Sequence, residues 1–313
     1  MPAVSLKNIF KTYDDGKIKA VNDVSFDVEQ GELFGLIGPD GAGKTSIFRI
    51  LTTVLLPDKG TATVEGLDVV KDYRAIRNKV GYMPGKFSLY QDLTVAENLK
   101  FFATIFKTTI EENYDLIKDI YDQIKPFSNR PAGKLSGGMK QKLALCCALI
   151  HKPEVLFLDE PTTGVDVVSR KEFWAMLKRL KEQRISILVS TPYMDEASLC
   201  DRIALIQNGN IMSVDTPQNI INSFPAPLYA VKSKDIYRLL KDFRLDPVVE
   251  SCYAFGEYLH LTLKDDHNSN KMLNELAAKY KAEDFEAKLI TPTIEDSFIR
   301  LMQEKGKADI IEK

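Results

Sequence analysis

The rhythm of hydrophobic and polar positions changes several times along the chain, and each change marks an element. Residues 3–10, 18–28 and 31–37 alternate or run apolar, with Gly and Asp between them, as strands do. After a glycine loop, residues 43–55 take helical spacing. From about 87 to 150 the pattern is helical, and "LTVAENLKFFATIF" puts Leu93, Leu99, Phe102 and Phe106 on one stripe. Residues 155–158 are continuously apolar, which predicts a parallel strand buried on both faces. A helix at 169–182, a strand at 185–190 and shorter strands to about 214 follow. Strands alternating with helices predict an α/β fold with an open, mostly parallel sheet.

"TPQNIINSFPAP", residues 216–227, holds three prolines and reads as a boundary between a domain at 1–220 and another at 226–313. Beyond it, strand "LYAVK" leads to a helix at 234–243, then strands "VVESCYAF" and "YLHLTL". A helix at 269–281, strand "FEAKLI" and a last helix at 293–304 complete it. That β-α-β-β-α-β order with a trailing helix predicts a ferredoxin-like α+β domain. No catalytic cluster falls there, so a regulatory or dimer-supporting module is expected, with plain padding of the first domain as the other reading.

Composition narrows the classes. The 313 residues suit one large α/β domain and a smaller one. A formal net charge of −2 argues against a broad basic face, so no nucleic-acid partner is expected. No apolar run approaches the roughly 20 residues a membrane-spanning helix needs. "MPAVSLKNIFKTYDD" has no secretory signal pattern, so a membrane role is expected through a partner. The four cysteines form no Cys-x-x-Cys pair and read as buried thiols in a reducing compartment. His151, His260 and His267 lie far apart, without metal-ligand spacing.

Three short stretches carry the chemistry. "GPDGAGKTS" comprises Gly38, Pro39, Asp40, Gly41, Ala42, Gly43, Lys44, Thr45 and Ser46, and fits G-x-x-x-x-G-K-[ST]. It follows an apolar strand and precedes a helix, as a phosphate-cradling P-loop must. Lys44 is expected on the β/γ-phosphates and the Thr45 hydroxyl on Mg²⁺. "VLFLDEP" ends a buried strand in Asp159, for the Mg²⁺ shell, and Glu160, to orient or deprotonate the attacking water. "LSGGMKQ" opens a helix with Ser136 as cap and Gly137, Gly138 and Gln141 in its first turns, a second candidate anion site.

Together these stretches resemble the ATP-binding cassette (ABC) ATPases over about residues 3–220. The resemblance implies ATP and Mg²⁺ as ligands and a dimer in which Ser136 and its glycines meet the γ-phosphate held by another subunit's Lys44. It makes Tyr13 an adenine-stacking aromatic, with a core tyrosine as the alternative. It makes Asp166 a dimer-contacting acid, with an exposed loop aspartate as the alternative. "GYMPGKFSLYQDLTVAENL" and "YMDEASLCDRIALIQNGNI" look most like the ATPase subunits of ABC-2-type exporters, which drive separate integral membrane permeases from the cytoplasmic side of the cell membrane. Phe87 and Tyr90 would then belong to the permease-docking surface, or else to the core.

The sequence departs from that family twice. Gly85 stands where a glutamine is usual, with Gln91 six residues on as a poor substitute. Pro192 stands where a histidine would donate to the γ-phosphate. The expectation is that Thr191 caps and Pro192 starts a helix, with Ser190 or Thr191 turning a hydroxyl toward the phosphate. A slow site follows, in a homodimer or in a heterodimer with a second ABC ATPase. A soluble cassette ATPase is the alternative, but the P-loop occurs once and no heptad run appears. An ATP-gated clamp is another, with Glu160 speaking against it and Gly85 and Pro192 for it.

Overall fold

The computed structural model describes residues 1–264 and 268–311; His267 lies outside them. The chain divides into two compact units: Met1–Asn219, joined by the chain end from Leu301, and Ile220–Arg300.

The first unit opens with β1 (Val4–Tyr13), β2 (Ile18–Val28) and β3 (Leu33–Ile37), then α1 (Lys44–Leu51), β4 (Lys59–Val64) and β5 (Leu67–Asp68). Next come α2 (Tyr73–Lys79), β6 (Val80–Met83), α3 (Val95–Ile105), α4 (Tyr114–Ile124) and α5 (Gly137–Leu149). β7 (Val155–Asp159), α6 (Val167–Glu182), β8 (Ser186–Thr191), β9 (Arg202–Gln207) and β10 (Asn210–Asp215) complete its sheets.

The central sheet runs β10-β9-β3-β8-β7-β6, parallel from β9 to β6. β3, β7 and β8 are buried at every position, which explains the apolar runs at 33–37, 155–158 and 187–189. An antiparallel sheet, β2-β1-β4-β5, shares a core with it through Phe26, stacked 5.2 Å from Phe34. β1 reaches Tyr13 because β2 pairs with it along its whole length. α1 stops at Leu51 rather than 55: Thr53 turns left-handed (φ 62°) and the Arg77 guanidinium holds its carbonyl at 2.8 Å.

α3 starts in a capping box, with Glu97 N–H donating to the Thr94 hydroxyl and Thr94 N–H to Glu97. On its sequence-read stripe Leu99 is buried, while Leu93, Phe102 and Phe106 are half-buried. All four cysteines are buried, and desolvation pushes their thiol pKa values up.

α7 (Pro217–Asn222) turns part of the proline-rich stretch into a helix, and the unit boundary falls within it. The second unit holds β11 (Leu228–Lys232), α8 (Ile236–Leu245), β12 (Val249–Phe255), β13 (Tyr258–Leu263), α9 (Ser269–Lys279) and β14 (Glu286–Ile290), and α10 (Ile294–Ile311) begins in it. Its sheet order, β12-β13-β11-β14 with all pairs antiparallel, is the ferredoxin-like arrangement. Leu239 and Phe243 of α8 and Leu273 and Leu276 of α9 pack on Val231, Leu259, Leu261 and Leu263.

Candidate active site

The loop between β3 and α1 is held by contacts that exclude side chains. A Cβ on Gly38 would meet the Ile206 carbonyl oxygen at 2.2 Å, and one on Gly43, at φ 104°, the Ala20 carbonyl oxygen at 2.2 Å. Glycine is therefore required where the strand turns into the helix. α1 starts with no side-chain cap, so its first amides remain for an anion. Lys44 is buried, with Nζ donating to the carbonyls of Gly38 (2.7 Å) and Pro39 (3.0 Å) and lying 3.1 Å from Glu160 Oε1. Thr45 and Ser46 are half-buried on the first turn, and Asp40 and Gly41 are exposed. Tyr13 is half-buried, and its hydroxyl pairs with Ser46 Oγ at 3.1 Å.

Asp159 and Glu160 arrive at the carboxyl end of β7. Asp159 is 2% exposed. Glu160 turns left-handed, φ 50°, and its N–H reaches both the Ser190 carbonyl (3.1 Å) and Ser190 Oγ (3.0 Å). Ser190 Oγ in turn donates to Asp159 Oδ1 at 2.6 Å. Tyr82 lies near this acid: burial, and then the Asp159 charge, push its hydroxyl pKa up to about 12, so it stays protonated.

Both departures from the family pattern sit against this cluster. A Cβ on Gly85 would lie 3.1 Å from the Asp159 carbonyl oxygen and 3.8 Å from Glu160 Cβ. Pro192 follows Thr191, whose carbonyl accepts from Gly38 N–H at 3.3 Å. Neither residue 85 nor residue 192 brings a side-chain donor. The expected hydroxyl substitutes are otherwise engaged: the Ser190 proton goes to Asp159, and Thr191 donates to buried Glu196. Thr191 does not cap a helix at Pro192 either. Its hydroxyl accepts from Tyr193 N–H (3.1 Å), and a 3-10 helix begins two residues after the proline, at Met194–Leu199. The reason is Glu196, which draws Thr191, Thr162 (2.8 Å) and Arg170 Nε (3.1 Å) onto one carboxylate. Sequence spacing gave no sign of that network. Gln91 lies against Gly133, with its carbonyl accepting from Gly133 N–H at 2.8 Å.

Among the described residues the "LSGGMKQ" helix start makes no hydrogen bond to Lys44, Asp159 or Glu160. Ser136 caps α5, accepting from Met139 N–H at 3.3 Å, and Ser136 and Gly137 are exposed. Gly138 and Gln141 pack beside Ser169 and Phe173 of α6. Asp166 caps α6, with Oδ1 accepting from Val168 N–H (3.1 Å) and Ser169 N–H (3.0 Å). Those hydrogen bonds hold its carboxyl below the usual range.

The oxygen set suits magnesium. Asp159 offers a hard carboxylate and Thr45 a hydroxyl, and this metal takes few protein ligands beside substrate phosphates and water. Among the described residues no group of three or more His, Cys, Asp and Glu side chains is placed to cage a metal.

A separate cavity of about 430 Å³ is lined by Tyr82, Met83, Pro84, Leu89, Phe102 and Phe106, among others. At the stretch entering α3, Tyr90 is 51% exposed and packs edge-on against Phe101 (4.8 Å), while Lys140 Nζ lies 5.5 Å over half-buried Phe87. Buried Asn98 donates to the carbonyls of Tyr90 (3.0 Å) and Leu93 (3.2 Å), fixing that stretch.

Fold and site together define a P-loop cassette of the ABC type. The ABC transporter family model matches residues 21–163. The chain is 35% identical over 310 residues to the probable multidrug ABC transporter ATP-binding protein YbhF of Escherichia coli K12, covering 98% of this chain and 53% of that protein. It is 35% identical over 215 residues to the ABC transporter ATP-binding protein NatA of Bacillus subtilis 168, covering 67% of this chain and 87% of that protein. Among solved structures, a dimeric ATP-binding cassette in a post-hydrolysis state with ADP and Pi aligns with TM-score 0.62 and 27% identity, over 68% of this chain and 98% of that one. The chain belongs to the ABC transporter ATP-binding proteins. It spans about half the length of YbhF.

Proposed function

We propose that the protein binds and hydrolyses Mg²⁺–ATP to drive a separate integral membrane permease of an exporter, acting at the cytoplasmic face of the membrane. The observation that carries this is the pairing of Lys44, at the uncapped start of α1, with Glu160 at 3.1 Å, next in the chain to buried Asp159. Lys44 and the loop amides would bind the β- and γ-phosphates, and Thr45 and Asp159 the metal. Glu160 would orient the attacking water. Bound metal supplies charge neutralisation at the phosphates. Gly38, Pro39, Asp40, Gly41, Ala42, Gly43 and Ser46 form the phosphate loop, and Tyr13 would meet the adenine.

Ser136, Gly137, Gly138, Gln141 and Asp166 would complete the site of a second ATPase subunit. Support comes from their distance in role: α5 starts at the surface with a glycine pair. The domain at 226–313 would serve regulation or pairing of subunits. The export reading rests on the names of relatives, a multidrug protein and a Nod factor export protein among them. The apolar cavity and exposed Tyr90 would receive the permease.

The chain's own site would turn over slowly, because residues 85 and 192 bring no side-chain donor and Ser190 and Thr191 are engaged elsewhere. One missing preorganised donor costs on the order of 10²–10³ in rate. Phosphate release by the purified chain tests this. Slow turnover with retained ATP binding is expected; turnover of several per second that Glu160→Gln abolishes would exclude the slow site. Purification from membranes should recover a polytopic membrane protein, and recovery of ribosomes instead would overturn the export role.

A further inference from the structure

Ser190 stands where two demands of the site meet. It is fully buried and lies opposite Asp159 in the β7–β8 register. Its hydroxyl donates to Asp159 Oδ1 at 2.6 Å, and the same oxygen accepts from Glu160 N–H at 3.0 Å. A lone Asp carboxylate rotates readily, because its terminal torsion is broad. Glu160 carries the left-handed φ of 50°, a conformation that costs energy in a residue with a Cβ and needs its peptide held. One hydroxyl answers both needs. Among the described residues it is the one side-chain donor to Asp159, and it leaves Oδ2 without a protein partner.

We infer that Ser190 is a positioning residue for the metal side of the nucleotide site. It fixes the Asp159 carboxylate by one oxygen and keeps the other for a divalent cation, while its acceptor function anchors the peptide that aims Glu160. With Gly85 and Pro192 contributing no polar side chain here, the ordering of this side falls on Ser190. An ordinary buried serine would donate to a neighbouring carbonyl. This one donates to the ionisable oxygen at the end of the strand, a hydrogen bond of the strong, charge-assisted kind. Partners of metal-ligating carboxylates are worth about 10–100-fold in metal affinity.

The inference rests on the Mg²⁺–ATP reading, and one experiment separates the two. Binding of a fluorescent ATP analogue to the full-length chain is measured in EDTA and across a Mg²⁺ titration, for the wild type and for Ser190→Ala, Ser190→Cys and Ser190→Thr. In Ser190→Ala the apparent Mg²⁺ affinity should fall about tenfold or more while binding in EDTA is kept. Ser190→Cys preserves the packed volume with a weak donor and should behave the same; it serves where the alanine variant does not fold. Ser190→Thr keeps the hydroxyl and should restore the Mg²⁺ dependence. Wild-type Mg²⁺ dependence in the Ala or Cys variant overturns the inference alone, and so does an equal loss of binding in EDTA, which marks a structural role. A wild-type chain that binds no nucleotide overturns the nucleotide reading and this inference with it.

Discussion

Two buried carboxylates, one in each unit, separate what is built for stability from what is built for chemistry. Asp296, at the start of α10, is fully buried and saturated: His260 Nδ1 (2.6 Å) and the Tyr253 hydroxyl (2.8 Å) meet Oδ1, and Thr293 N–H (2.6 Å) and its hydroxyl (2.7 Å) meet Oδ2. Asp159 is almost as deeply buried, yet among the described residues it takes one side-chain hydrogen bond, from Ser190. Burying a carboxylate is costly unless its lone pairs are used. The Asp296 shell meets that requirement within the protein. The Asp159 shell leaves one oxygen open at the strand end beside Glu160, where the proposed Mg²⁺ would complete it. Saturation, rather than burial, tells the two apart.

The sharpest way to break this contrast is at the chemical end. Glu160→Gln should lower turnover by about 10²–10⁴-fold while ATP binding is retained. The matched change in the other unit, Asp296→Asn, should leave turnover within about twofold, because it touches neither substrate nor metal. Steady-state phosphate release checks both. If Asp296→Asn slowed turnover as much as Glu160→Gln, the division of labour would be wrong.

Pro192→His comes next. A donor restored beside the first residue of the phosphate loop should raise turnover by up to about 10²-fold. The same substitution should leave the fold intact, since residue 192 is half-buried and lies between β8 and the following 3-10 helix. An unchanged rate would mean that slow turnover has another cause, with Gly85 the first suspect.

Much of this was legible in the sequence, for reasons that the two carboxylates illustrate. Asp159 announces itself because four apolar residues precede it on one strand and a glycine loop with a lysine stands nearby in the pattern; both signals are local. The ferredoxin-like order was equally readable from alternation and helix spacing. What escaped was set by pairing at long range. Ser190 and Asp159 are 31 positions apart and meet through strand register. Glu196 gathers Thr162, Thr191 and Arg170 from three separate segments, and so shifts the helix start away from Pro192. The Asp296 cluster joins β12, β13 and α10 in the same way, and no spacing encodes it.

Smaller effects follow at the structural end. Asp296→Ala strands two buried partners, His260 and Tyr253, and should destabilise the second unit by about 2–3 kcal/mol, read by hydrogen exchange in β12 and β13. The pH dependence has a definite sign. Burial raises the Asp296 pKa, but hydrogen bonds from His260, Thr293 and Tyr253 outweigh it and hold the carboxyl below its ordinary value. Its stabilising contribution is therefore fully present above the unfolded pKa of about 3.9 and is lost as pH falls through the lower folded value. The gap between wild type and Asp296→Asn should shrink as pH falls below about 4.

The smallest expected change tests the second helix start. Ser136→Ala removes the cap on α5 and should cost about 1 kcal/mol in stability. Among the described residues the exposed hydroxyl bonds Met139 N–H and makes no hydrogen bond to Lys44, Asp159 or Glu160, so ATP binding by a dilute, unpaired chain should not move. At concentrations where subunits pair, turnover should fall well beyond what the stability loss explains if, as proposed, the same hydroxyl meets nucleotide held by the other subunit. A variant whose dilute binding weakens would place Ser136 in its own chain's site. One whose turnover is unchanged at every concentration would reduce it to a helix cap.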